Sequence, residues 1–212
     1  MKRRALGRMA TGLLALALLG LAPGVRAADE APDALIKRLS DDVLASIKSD
    51  KTIQGGDTGR ILALVDSKIM PNVNFQRMTA AAVGPAWRQA TPEQQKRLQD
   101  EFKILLVRTY SGALAQVDDQ TISIKPQRSG ATDSEVVVRT EIRGRGDPIQ
   151  LEYRLERTPG QGAGWKIYNL NVLGVWLVET YRSQFSTEIT NKGIDGLITA
   201  LSERNKTNAK KG

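Results

Sequence analysis

Any chemistry in this chain has to come from carboxylates, hydroxyls, lysines and tyrosines, because the sequence contains no His and no Cys. Thiol nucleophiles, disulfides, iron–sulfur clusters, zinc fingers and imidazole bases are therefore excluded. The nearest approach to a proton-transfer dyad is two acidic pairs, Asp41-Asp42 and Asp118-Asp119. Neighbours on a helix point about 100° apart, so the first pair reads as a solvated helix face and the second as a turn. Arg145-Gly146-Asp147 spells an adhesion tripeptide, yet it falls between two strands, where the glycine supplies a positive φ for the turn. The Gly160 to Gly164 stretch leads into a strand rather than a helix, so it presents no helix N-terminus to a phosphate. No acid is singled out as the base of an enzyme such as an isomerase.

Charge gives the next exclusion. The 212 residues carry 31 Lys and Arg against 23 Asp and Glu, a formal +8. Five of those bases, Lys2, Arg3, Arg4, Arg8 and Arg26, precede residue 28, and four more, Arg204, Lys206, Lys210 and Lys211, end the chain. Between them stand 22 bases and 23 acids, so the body is neutral and a phosphate-tracking nucleic-acid groove is not expected. The basic start, the apolar run Leu13 to Ala22 and the small residues up to Ala27 form a secretory signal, cleaved after Ala27. That run is too short for a comfortable membrane span. The mature chain should enter an exported compartment.

The elements that must position any site follow from periodicity. Ile36, Leu39, Val43 and Ile47 recur at helical spacing, and Gly55-Gly56 breaks the pattern. Asp57 caps a second helix that Pro71 stops, and a short helical segment spans 74 to 83. Thr91-Pro92-Glu93-Gln94 is a capping box opening a long helix to about Val117, with a broad apolar face. The period then changes to two. Ile122 and Ile124, then Val136, Val138, Thr140 and Ile142, then Ile149, Leu151, Tyr153 and Leu155 alternate with polar residues, and a fourth strand starts at Trp165. After Val175 the chain returns to helix, stops at Asn191-Lys192-Gly193 and restarts from an Asp195 cap, and 206–212 is expected to be a disordered tail. The expected fold is α+β: a curved four-stranded antiparallel sheet covered by the long helix, with a helical subdomain. A single unit over 28–205 is expected, mainly helical to 90, long helix plus sheet over 91–172, and helical over 173–205. A curved sheet under a helix leaves room for an apolar cavity between the layers.

Several stretches resemble the MlaC family: Ala90-Thr91-Pro92-Glu93-Gln94-Gln95 leading to Phe102 and Tyr110-Ser111-Gly112-Ala113-Leu114, Trp165-Lys166-Ile167-Tyr168 followed by Gly174-Val175, and Lys192-Gly193-Ile194-Asp195-Gly196-Leu197. Pro71 with Asn72-Val73-Asn74-Phe75 fits the same order. This resemblance implies a periplasmic phospholipid-binding protein of the lipid-asymmetry (Mla) pathway, also called toluene-tolerance proteins. It implies a cone-like sheet of the nuclear transport factor type and acyl chains held in its cavity. The implied partners are an outer-membrane lipoprotein–porin complex and an inner-membrane ABC transporter presenting an MCE-domain protein. One departure stands out: Trp176 follows Val175 where the family favours a smaller polar residue, which bears on the cavity floor and admits a hopanoid carrier as an alternative ligand class.

A carrier requires no catalyst, cofactor or metal. The expected cavity wall takes Val73, Phe75 and Met78 from the short segment and Phe102, Leu105, Leu106 and Tyr110 from the long helix. Val138, Ile142, Leu151 and Tyr153 come from the sheet, and Ile167, Leu170, Val175 and Leu177 from the last strand and its helix. Arg77, Arg88, Lys103 and Arg108 are candidates to touch a phosphate at the mouth. A non-catalytic periplasmic adaptor is the competing class.

Overall fold

Helix α1 (Pro32–Ser49) opens with proline in its first turn, where a missing N–H is harmless, and buries Leu35, Ile36, Leu39 and Ile47 on one side. The structure, a computed structural model, describes residues 30–115, 117, 119–126, 133–144 and 147–209. The export segment with its cleavage site, Asp118, Arg145-Gly146 and the last three residues of the expected tail lie outside that range. Asp50 ends α1 and starts a one-turn helix α2 (Lys51–Gln54) by accepting from the Thr52 and Ile53 backbone N–H groups. The periodicity gives no hint of this extra turn. Asp57 caps α3 (Thr58–Leu64) as expected, and a π turn (Val65–Ile69) and a 3-10 turn (Met70–Asn72) carry the chain past Pro71.

Asn74 caps α4 (Phe75–Val83), and the Thr91/Gln94 box opens α5 (Pro92–Ala115). The box is reciprocal: Gln94 N–H donates to Thr91 Oγ1 at 3.2 Å, and Thr91 N–H donates to Gln94 Oε1 at 3.0 Å. Five antiparallel strands follow in sequential order, β1 (Thr121–Ile124), β2 (Glu135–Arg143), β3 (Ile149–Arg157), β4 (Trp165–Val172) and the two-residue β5 (Val175–Trp176). The meander expected from alternation is thus present with one strand added. Val175 and Trp176, expected to begin a helix, turn back against β4 through Leu173-Gly174, both at positive φ (52° and 87°). That is the backbone a tight two-residue hairpin demands.

Helix α6 (Leu177–Ala209) is two segments, 177–192 and 194–209, broken at Gly193 with φ 69° and ψ −172°. The expected stop is therefore where the sequence puts it. The helix continues through Ala209, four residues into the stretch expected to be disordered, with Lys206 paired to Glu203 one turn back at 2.8 Å. Apolar packing forms three clusters. One joins α4, α5 and α6 around Phe102, whose ring centroid lies 5.0 Å from Tyr181, 5.2 Å from Phe185 and 5.7 Å from Phe75. A second seals α1 onto β2, β3 and β4, and a third lies among α1, α2, α3 and α5. Val73, Val43 and Met70 each touch two clusters, so the three are continuous.

Candidate site: the apolar sheet face

Strand register decides which side chains share a surface. Val136 faces Leu155, Val138 faces Tyr153, Thr140 faces Leu151 and Ile142 faces Ile149 across β2 and β3. Ile122 and Ile124 of β1 extend the rows at Ile142 and Thr140. On β4, Ile167 opposes Leu155 but Leu170 opposes Tyr153, because one extra residue, Tyr168, bulges between them. The bulge flips the alternation, so residues three apart face the same way. Ile167, Leu170 and Val172 therefore join one continuous apolar face. Asn169 and Asn171, in phase with Ile167 by simple alternation, turn to the opposite face. There Asn169 donates to Glu179 at 2.8 Å and Asn171 Oδ1 accepts from the Gly174 N–H at 2.8 Å.

This face is sealed at one end and open at the other. Val136, Leu155, Trp165 and Ile167 are buried under α1. Tyr153, Leu151, Ile142, Leu170 and Val172 are only half-buried, and beyond them Ile149, Leu173 and Val175 are 37%, 63% and 51% exposed. Leu106 and Tyr110 of α5 are half-buried on the same cluster that Leu170 and Val172 border. Aliphatic surface left partly wet is costly at about 25 cal/mol per Å². Such a surface suits a hydrophobic guest.

The fifteen expected wall residues divide accordingly. Val73, Leu106, Tyr110, Ile142, Leu151, Tyr153 and Leu170 are half-buried. Phe75, Met78, Phe102, Leu105 and Leu177 are buried in the helical cluster, and Val138 and Ile167 in the sheet cluster. Val175 stands at the exposed rim on the Val172 side of the sheet. Trp176, expected to bear on a cavity floor, lies on the outer face of the sheet, with the Arg154 guanidinium 3.8 Å over its ring. Val172 and the rim residue Leu173 were not among the expected residues. The signal for Val172 is the bulge, which alternation alone does not reveal.

Three of the four basic candidates for a phosphate contact have other partners. Arg77 is bound by Glu135 at 2.6 Å and by Glu156, and lies 3.6 Å over the Tyr168 ring. Lys103 pairs with Asp66 at 2.7 Å, and Arg108 donates to the Asn205 carbonyl of α6. Arg88 is exposed on the turn Gly84–Gln89.

The polar clusters are structural. Glu141 is 5% exposed and accepts from Lys125, Gln150 and Arg143 on the outer sheet face, and these donors, Lys125 first, hold its carboxyl down at about 2. Burial raises the Tyr110 phenol above its ordinary range, so it stays neutral. Asp41 and Asp42 are exposed, Asp41 bound to Lys37 one turn away. Among the described residues no group of three or more acids gathers as a metal site, and no helix is long and apolar enough to cross a membrane. Two shallow surface concavities, of about 490 and 290 Å³, open beside α2 and α3 and are lined by Thr52, Gly55 and Asp57 and by Ser46, Arg60 and Lys68 among others. Neither involves the sheet.

Comparison with known proteins bears on the apolar face. The profile of the MlaC protein family matches residues 37–203. The toluene tolerance protein ttg2D of Pseudomonas putida is 24% identical over 181 residues, 85% of this chain and 83% of that one. The intermembrane phospholipid transport system binding protein MlaC of Haemophilus influenzae is 22% identical over 177 residues, 83% of each chain. The solved structure of a phospholipid-binding protein from Ralstonia solanacearum, in complex with a phospholipid, superposes with a TM-score of 0.80 at 48% identity, covering 84% of this chain and 98% of that one.

Proposed function

The chain belongs to the MlaC family, and from that premise we propose that it is a periplasmic phospholipid carrier. The signal-like first 27 residues send it to the periplasm. There it takes acyl chains into the gap between the open half of the sheet face and α5, and ferries lipid between the outer-membrane lipoprotein–porin complex and the ABC transporter with its MCE-domain protein. In that role it maintains the lipid asymmetry of the outer membrane. The supporting observation is a pair: the Ralstonia solanacearum relative holds a phospholipid, and this sheet keeps a row of aliphatic side chains half-buried instead of sealed.

The physical requirement is large and simple. Each methylene moved out of water is worth about 0.8 kcal/mol, so two ordinary acyl chains represent about 20 kcal/mol to be shielded during an aqueous crossing. Leu106, Tyr110, Ile142, Leu151, Tyr153, Leu170 and Val73 supply that contact. Phe75, Met78, Phe102, Leu105, Val138, Ile167 and Leu177 back the wall, and Val175 stands at the rim. The headgroup stays in water at the open end. Nothing in this role asks for catalysis.

The test is Leu151→Asp, placed in the middle of the half-buried row. A charge there leaves the sealed clusters untouched but cannot be solvated beside acyl chains. Bound phospholipid, measured as extractable phosphate per mole of folded protein, should fall at least tenfold. A folded variant that still holds phospholipid at the parental ratio would overturn this wall.

A further inference from the structure

The apolar face contains one polar spot. Thr140 lies on β2 between Val138 and Ile142, facing Ile124 on one side and Leu151 on the other. It is fully buried, and its Oγ1 makes no hydrogen bond of ordinary geometry. Helical threonines in this chain return their hydroxyl to a carbonyl one turn back, as Thr79 does to Phe75 at 2.8 Å. A strand offers no such local acceptor. A valine would fill the same volume without a stranded hydroxyl, and such a group calls for a partner. Diagonally across the ladder, the Tyr153 phenol lies beside Thr140 and beside Ser40 of α1, and burial keeps it a neutral O–H.

The depth of this spot identifies what meets it. Ile142 and Ile149 form the row nearest the exposed rim. At about 3.4 Å per residue, Thr140 lies roughly 7 Å inside that row and Tyr153 roughly 14 Å. A glycerophospholipid with its phosphate in water and its chains inside brings one strong acceptor to such a depth, the ester carbonyl, a few bonds below the phosphate. We propose that Thr140 and Tyr153, with Ser40 orienting the phenol, form a subsite that donates hydrogen bonds to an ester carbonyl of the bound lipid. This rests on the phospholipid-carrier reading and sharpens it. The subsite selects ester-linked diacyl lipids over ether lipids and over polycyclic hydrocarbons of the hopanoid kind, which bring no carbonyl.

Two probes separate the claims: a phosphatidylglycerol with two ester-linked sixteen-carbon chains, and its dialkyl ether analogue with the same chain length and headgroup. Delipidated protein should bind the diester about five- to tenfold more tightly than the diether, the scale of one or two hydrogen bonds. Thr140→Val should erase that preference by weakening only the diester, Tyr153→Phe should reduce it, and Thr140→Ser, which keeps the hydroxyl, should preserve it. Equal affinity of the parent protein for the two lipids overturns the subsite while leaving the carrier reading intact, and needs no variant to fold. Equal losses on both lipids in Thr140→Val also overturn it. Failure of the parent protein to bind either lipid removes the carrier reading and the subsite together.

Discussion

Glu141 shows what register adds to residue type. Alternation places it on the wet face of β2, yet it is 5% exposed, because Lys125, Gln150 and Arg143 close over it from the residue just beyond β1, from β3 and from its own strand, in that order. Its carboxyl is held at about 2 instead of the ordinary 4.5. The unfolded chain therefore binds the proton more readily between those values, and the stabilisation is complete above about 4.5 and lost as pH falls toward 2. The urea midpoint should drop between pH 5 and pH 3, and Glu141→Gln should flatten that part of the profile. An unchanged slope in the variant would show that Glu141 does not contribute. Arg77 gives the complementary lesson. Its charge on a short helix suggests a phosphate contact, and only the fold reveals Glu135, Glu156 and Tyr168 around it.

Among the elements, the most legible were those whose signals are local. The Thr91/Gln94 box, the Asp57 cap and the Gly193 stop all depend on residues within a few positions of each other, and all stand where the sequence puts them. The Lys192 to Leu197 stretch now has a mechanical basis. Gly193 adopts a positive φ that breaks α6, and a Cβ on Gly196 would lie 2.1 Å from the Lys192 Cβ. Asp195 Oδ1 then accepts from Gln94 Nε2 at 2.8 Å, fastening the second segment to the start of α5. Gly193→Ala should cost about 1–3 kcal/mol, the cost of a side chain on a positive-φ extended backbone that is essentially reserved to glycine, read as a lower urea midpoint at unchanged slope. The elements that eluded sequence reasoning, α2, β5 and the Tyr168 bulge, are four residues, two residues and a single inserted residue long, too short to show a period. No periodic signal marks them.

For the molecule as a whole, alternation and helix stripes sufficed for an α+β fold with an antiparallel meander, because one dry face per element leaves few ways to stack them. How the cover is shared was less legible. The α1 helix seals the β1–β2 half, α4 and α6 meet β4, and α5 packs mainly on α6. Apolar residue types alone do not tell a closed core from a lined gap, so Phe102 and Leu106 read alike until burial separates them. The half-buried apolar side chains of the sheet run on to the exposed Ile149, Leu173 and Val175, an arrangement that a carrier needs and an adaptor does not. Native mass spectrometry of the protein purified without added lipid tests the carrier reading directly. A mass excess equal to one intact phospholipid, released on gentle activation, is the expected result, and protein that arrives uniformly free of lipid would contradict it.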